Sequence, residues 1–168
     1  WINSSTFTPG TGTVNFTGTA NQTITTGGTT AGKVFYNIDI NKSSGVVSLA
    51  GNILINNSFS ITAGELDVTS NNYSMTVVGD WTNSGTFTPQ AGLVTFTGTT
   101  QTITTGGTGA GKSFYNVTYN KAAGTLTLNG DMKIDNNFTI TAGTFDVSTS
   151  NYNMLVGGNW ANAGTFTS

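Results

Sequence analysis

Apolar residues alternate with small polar ones in short runs along the whole chain, and clusters of Gly and Asn interrupt the runs every few residues. Alternation with period two marks half-buried strands. Between residues 81 and 159 the runs read TFTP, LVTFTG, QTITTG, SFYNVTYN, TLTLNG, MKIDN, FTITAG, TFDVST and YNMLVGG. None has the three-and-four spacing of a surface helix, and Thr, Val, Ile, Phe and Tyr suit a pleated surface.

The runs recur. Trp1, Trp81 and Trp160 open successive copies at steps of 80 and 79 residues, the difference being one residue lost near Ala20. WINSSTFTP returns as WTNSGTFTP and then WANAGTFTS, and QTITTGG, AGK, FYN, NK and ITAG return in the same order. The two full copies share 46 identities in 79 aligned pairs. This divides the chain into a first repeat at 1–80, a second at 81–159 and the start of a third at 160–168. Gly45, Gly64 and Gly85 are 19 and 21 residues apart, and Gly124 lies 39 further on. Units of about twenty residues, none able to bury its apolar side alone, predict an all-β parallel β-helix with about four coils per repeat. At about 4.8 Å per coil a repeat rises roughly 19 Å and the chain roughly 40 Å. The competing architecture is a series of β-sandwich repeats, in which the short strands divide between two sheets.

Alternation also names the core. In the first copy Val14, Phe16, Ile24, Tyr36, Ile38, Ile40, Val47, Leu49, Ile53, Ile55, Phe59, Ile61, Leu66, Val68, Met75 and Val77 are expected to face inward, and their second-copy counterparts are all apolar or aromatic. Between them polarity changes freely, as Leu54 against Lys133 and Asp39 against Thr118 show, which assigns those positions to solvent. The tryptophans with Phe7, Phe87 and Phe166 read as core, with an exposed saccharide-stacking platform as the alternative. Gly and Asn serve the turns, and Asn37, Asn116, Asn41 and Asn120 are candidate rungs of polar ladders completed by other residues.

Composition narrows the chemistry. Five basic and seven acidic residues give a net charge of -2, without the basic cluster that binds a phosphate backbone, so nucleic acid is not an expected partner. There is no Cys and no His, which removes disulfides, thiolate and imidazole catalysis and the common zinc sites. No apolar run reaches the length of a membrane-spanning helix, and WINSSTFT lacks the basic and apolar parts of a signal peptide. Gly106 to Ser113 reads GGTGAGKS and satisfies the phosphate-loop pattern, but a strand pattern follows Lys112 where that site needs a helix. The first copy has Val34 in place of the metal-binding hydroxyl after Lys33.

Ser and Thr without an activating base make no nucleophile. Glu65, Asp67 and Asp146 are the carboxylates to inspect, but Glu65 becomes Thr144 in the second copy, and no pair suggests glycoside hydrolysis. Asp131 and Asp135 are a candidate calcium pair needing further ligands, set against the reading that they are solvated acids beside Lys133. Asn-x-Ser/Thr sequons stand at Asn3, Asn15, Asn21, Asn41, Asn56, Asn72, Asn116 and Asn137. No catalytic, cofactor or metal residue is assigned, and no enzyme activity is expected.

The block WTNSGTFTPQAGLVTFTGTTQTITTGG, followed by GKSFYNVTYNKAAGTLTLNGDMKI and NNFTITAGTFDV, resembles repetitive tracts of long secreted bacterial surface and adhesin-like proteins. That resemblance covers essentially the whole chain and implies an extracellular or cell-surface β-helical stalk or filament. Copies are expected to continue end to end, because neither end shows the polar cap a solitary solenoid needs. The alternatives are an adhesin or carbohydrate-binding module meeting a cell-surface carbohydrate or protein, and an ice-binding solenoid. The last requires the Thr-x-Thr pairs 23/25, 86/88, 102/104, 125/127 and 139/141 to share one flat face.

Overall fold

The computed structural model describes all 168 residues. It contains strands and turns only, and every strand pairing is parallel. Val14 pairs with Ile38, Ile38 with Phe59, Phe59 with Trp81, Trp81 with Ile103, and one residue stack climbs on to Leu128 through the next coil. Stacked partners are about 22 residues apart and the chain makes about seven turns. This is a parallel β-helix, and the sandwich alternative falls because no strand turns back on its neighbour.

Each coil has three short strand segments meeting at three edges. Edge I stacks residues 26–34, 50–52, 69–73 and 89–92. Edge II stacks 42–45, 62–64, 84–85 and 105–113. Edge III stacks 36–37, 56–58, 78–80 and 97–100. Where turns on one edge lie close, only glycine fits. A Cβ on Gly85 would stand 2.5 Å from the Gly64 carbonyl oxygen, and one on Gly64 would stand 2.8 Å from the Lys42 Cβ.

The second copy holds eleven segments: Trp81–Asn83, Thr86–Thr88, Leu93–Phe96, Thr100–Thr104, the bridging Phe114, 116–119, 125–128, Met132–Ile134, 138–140, 144–146 and Met154–Val156. The strands Asn116–Leu128 and Phe138–Asp146 each cross an edge, which is why their register shifts midway. Eleven segments at three per coil make three and two-thirds coils, refining the expected figure of about four. Successive copies are therefore turned by one face. Trp81 belongs to the column Val14, Ile38, Phe59, Trp81, Ile103, Leu128, whereas Trp160 tops Ile53, Met75, Val94, Val117, Phe138.

One apolar cluster of 31 buried residues runs from Phe16 to Val147 without interruption between copies. It contains the expected inward residues except Val14, Met154 and Val156, which are partly buried and pack against it near the ends, and one recurrent pair. Tyr36 and Tyr115 are only half-buried, and the inward rings are Phe35 and Phe114, paired to Ile55 and Ile134. Two-residue turns, at 36–37 on edge III and at 115–116 on edge I, break the alternation at each Tyr, and it restarts at Ile38 and Val117. Trp81 and Phe87 are buried as expected, while Trp1 and Trp160, on the terminal coils, are about two-fifths exposed. Trp81 sits 4.6 Å from Phe59 and 5.0 Å from both Phe87 and Phe114, ring centre to ring centre. These rings pack inside the coil, which removes the basis for an external stacking platform.

Replacing Trp81 by Ala is expected to cost about 3–5 kcal/mol of stability in denaturant unfolding. Its outward neighbour, as Thr82→Ala, is expected to stay within about 0.5 kcal/mol of the parent.

Candidate functional site

The phosphate-loop lookalike is a clip on the coil below it. Residues 105–113 form the widest turn of edge II and lead into the bridging Phe114, with no helix to supply a dipole. Lys112 Nζ donates to the carbonyl oxygens of Asn83 at 3.1 Å and Gly85 at 2.6 Å. Asn83 Nδ2 answers by donating to the Gly111 carbonyl at 2.9 Å. The first copy repeats the arrangement on edge I, with Lys33 Nζ bonded to the Asn3 and Ser5 carbonyls and Asn3 Nδ2 to Gly32. Burial pushes the Lys112 ammonium below the usual lysine range, and both lysines are committed to main-chain carbonyls. Ser113, the hydroxyl that completes the motif, donates to Asp135 at 2.7 Å instead.

Beneath that loop the tight turns 62–64 and 84–85 leave a shallow recess of about 640 Å³. Its charged groups are Glu65 and Lys112. Glu65 accepts from the Thr88 hydroxyl at 2.7 Å, and Lys112 is held as described. Asp67 accepts from the Thr69 amide and from Gln90. Asp146 lies on another face and accepts from the amide and hydroxyl of Ser148, which hold its carboxyl below the usual range. The three carboxylates flagged in the sequence thus link neighbouring coils or cap turns, and no two of them face each other across a cleft.

The calcium pair does not assemble. Asp131 sits on edge II, accepting from the Asn153 amide at 2.8 Å, while Asp135 sits on edge I at the other end of Met132–Ile134. For Asp135 partial burial opposes ionisation, but the Lys133 ion pair at 2.7 Å and the Ser113 hydroxyl outweigh it and lower its pKa. No group of three or more His, Cys, Asp or Glu converges anywhere. Of the sequons, Asn15, Asn21, Asn41, Asn56 and Asn72 are exposed, whereas Asn3 is buried with its amide nitrogen in the edge I clip. Asparagine ladders exist in short form: Asn57 donates to Asn37 at 2.8 Å and Asn136 to Asn116 at 3.0 Å.

The Thr-x-Thr pairs do not share a face. Thr86 and Thr88 continue the column of Glu65 and Asp67, Thr125 and Thr127 continue that of Thr100 and Thr102, and Thr139 lies on the column of Thr95 and Thr118. Those are three different sides of the coil. A local block of threonines at 100, 102, 125, 127, 144, 165 and 167 does occupy one side. The equivalent side of the first copy carries Val46, Ser48, Glu65 and Asp67 instead. This scatter overturns the single flat face that ice binding requires.

Sequence reasoning missed two residues, Lys42 and Lys121, whose side chains are buried to 1 and 2% exposure at the turn of the NK motif. Lys42 Nζ donates to Gly18 O at 3.2 Å, Ala20 O at 2.9 Å and Gln22 Oε1 at 2.8 Å. In the second copy the residue corresponding to Ala20 is deleted, and Gln101 turns to the Val77 and Gly79 carbonyls. Lys121 keeps one acceptor, Thr125 O at 3.4 Å, and the face of Tyr119 at 5.5 Å. Burial lowers its pKa to about 8, against a smaller opposing pull from Asp80. The only sequence signal was the single-residue length difference near Ala20, about one coil before the lysine it affects.

No family model, curated relative or solved structure matches the chain. No helix is long and apolar enough to cross a membrane. The fold and its own internal comparison therefore carry the functional reading.

Lys42→Met is expected to cost about 1–3 kcal/mol, because it removes the donor shared by the Gly18 and Ala20 carbonyls and the Gln22 side chain at a part-buried turn. Lys121→Met is expected to be neutral or to stabilise by about 1–2 kcal/mol, because it removes a poorly partnered buried ammonium. Between about pH 8 and the ordinary lysine value of 10.5 the unfolded chain binds more protons at Lys121 than the folded one. Parent stability should therefore rise with pH from about 8. It should turn over above pH 10.0, where buried Tyr119, raised to about 12, keeps its proton only in the folded state. Urea titrations across this range should show a steeper first rise in the parent than in Lys121→Met, where only Lys112, also lowered by burial, contributes to it.

Proposed function

We propose that this chain is a length of the shaft of an extracellular fibre or stalk, supplying extension and rigidity and performing no catalysis itself. One observation carries the reading. The second copy begins as an ordinary rung of the first: Trp81, Thr82 and Asn83 pair with Phe59, Ser60 and Ile61, and the third begins on Phe138, Thr139 and Ile140 in the same way. There is no interface between copies to be weaker than the coil contacts within them. A unit that adds length through the same ladder at every step suits a rod.

The remaining features support a mechanical role. Charged side chains are few and are mostly bonded to the neighbouring coil, so they join rungs. The repeated clip loops likewise hold each coil to the one beneath. Continuation through adjoining repeats, or through other copies of the chain, extends the core without exposing its ends. The extracellular setting rests on the resemblance to repetitive bacterial surface proteins, with which a β-solenoid is consistent.

Imaging and solution scattering of the native full-length protein test this reading. Rod-like particles are expected, lengthening by about 18 Å for each copy of the repeat. Compact particles whose longest dimension does not grow with copy number would refute the shaft.

A further inference from the structure

The repeat's most prominent surface features are the clip loop, at 26–34 and 105–113, and the recess under the second of these. The two loops are equivalent in sequence but stand on different edges. Residues 26–34 rest on the turn at 3–5 and lie under 50–52, on edge I. Residues 105–113 rest on 84–85, which in turn rest on 62–64, on edge II. The cause is the count of segments, one short of four full coils. The recess has the same origin: the phase slip places the wide loop of one copy over two tight turns, 62–64 from the copy before it and 84–85 from its own.

We infer that this repeat is a three-edged screw that displays its loops all round the shaft, each turned by one face from the last and returning to the same edge at every third copy. Eleven coils, about 53 Å, separate loops that point the same way. A partner that reads the loops meets them on three sides of the fibre. A flat surface meets one copy in three. The geometry is independent of the shaft reading; its use for all-round display rests on that reading.

The chain contains no cysteine, so label positions can be introduced singly. Ala31 and Ala110 occupy equivalent, exposed places in the two loops. Ala31→Cys and Ala110→Cys together, biotinylated and bound to monovalent streptavidin, should give particle images with two densities at different azimuths, about one third of a turn apart and offset along the axis. Two densities in line along one edge would overturn the inference. A second measurement does not depend on labelled loops. Thr62 and Ser84 are stacked on edge II only in this phase, at the spacing of about 4.8 Å between coils that a disulfide can span. Thr62→Cys with Ser84→Cys should cross-link on mild oxidation, and failure to do so in a protein that retains the parent's cooperative unfolding would also overturn it. Compact native particles with labels still a third of a turn apart would sink the shaft reading alone.

Discussion

Every coil of this protein has its backbone satisfied by the coils above and below it, and that single requirement governs the rest of the structure. A parallel ladder fixes the rise at about 4.8 Å, so inward side chains must stack on inward side chains and turns must stack on turns. The first condition produces the columns of Ile, Val, Phe, Leu and Met. The second produces glycine at 64 and 85, where a side chain would strike the turn below. It also explains how a chain with 7% charged residues stays ordered. Cohesion comes from ladder hydrogen bonds and a continuous core, and the polar surface is built from threonine and asparagine, which suit strands and turns respectively.

The same requirement makes a one-residue deletion expensive at a distance. Losing the counterpart of Ala20 leaves the strand Thr100–Thr104 in register, since Ile103 still pairs with Trp81 and Leu128. The loss is felt at the turn above, where the carbonyl that would have received a lysine is gone. Lys42 and Lys121 are the same residue in the same motif, yet one ammonium has three acceptors at 2.8–3.2 Å and the other has one at 3.4 Å. Burying a charge is tolerable only when its hydrogen bonds are replaced. The second copy meets that condition poorly, while the Tyr119 ring, which replaces Ile40, recovers part of the interaction through its face.

Alternation made the inward faces of the strands legible because period two is a local property of each run. Ile38 and Ile40, Ile53 and Ile55, and Phe59 and Ile61 could be placed without knowing what lay above them. What could not be read was anything set by the turns. Edge turns range from the two residues at 84–85 to the nine at 105–113, so counting residues between glycines gives the coil size without the number of segments. That hid the two-thirds coil, and it hid the exchange of Tyr36 for Phe35, since a two-residue corner resets the alternation. The buried lysines were invisible for a related reason: their acceptors are main-chain carbonyls, which no side-chain pattern reveals. The GGTGAGKS stretch shows the converse. Gly106 and Gly111, at positive φ and close to the coil below, and Lys112 serve the turn and the clip, whereas Gly109 stands where the first copy has Thr30.

The count of eleven segments, not a multiple of three, decides where the wide turns fall. With four whole coils per repeat, 26–34 and 105–113 would lie on the same edge; with three and two-thirds coils they fall on edges I and II. The ladder sets the rise at about 4.8 Å on every edge, so a wide turn spreads outward from the coil and leaves the stacking of the strands beside it unchanged. The internal sequence likeness of the copies survives the change of edge because each position still meets an equivalent neighbour along its ladder: Trp81 rests on Phe59 as Trp160 rests on Phe138.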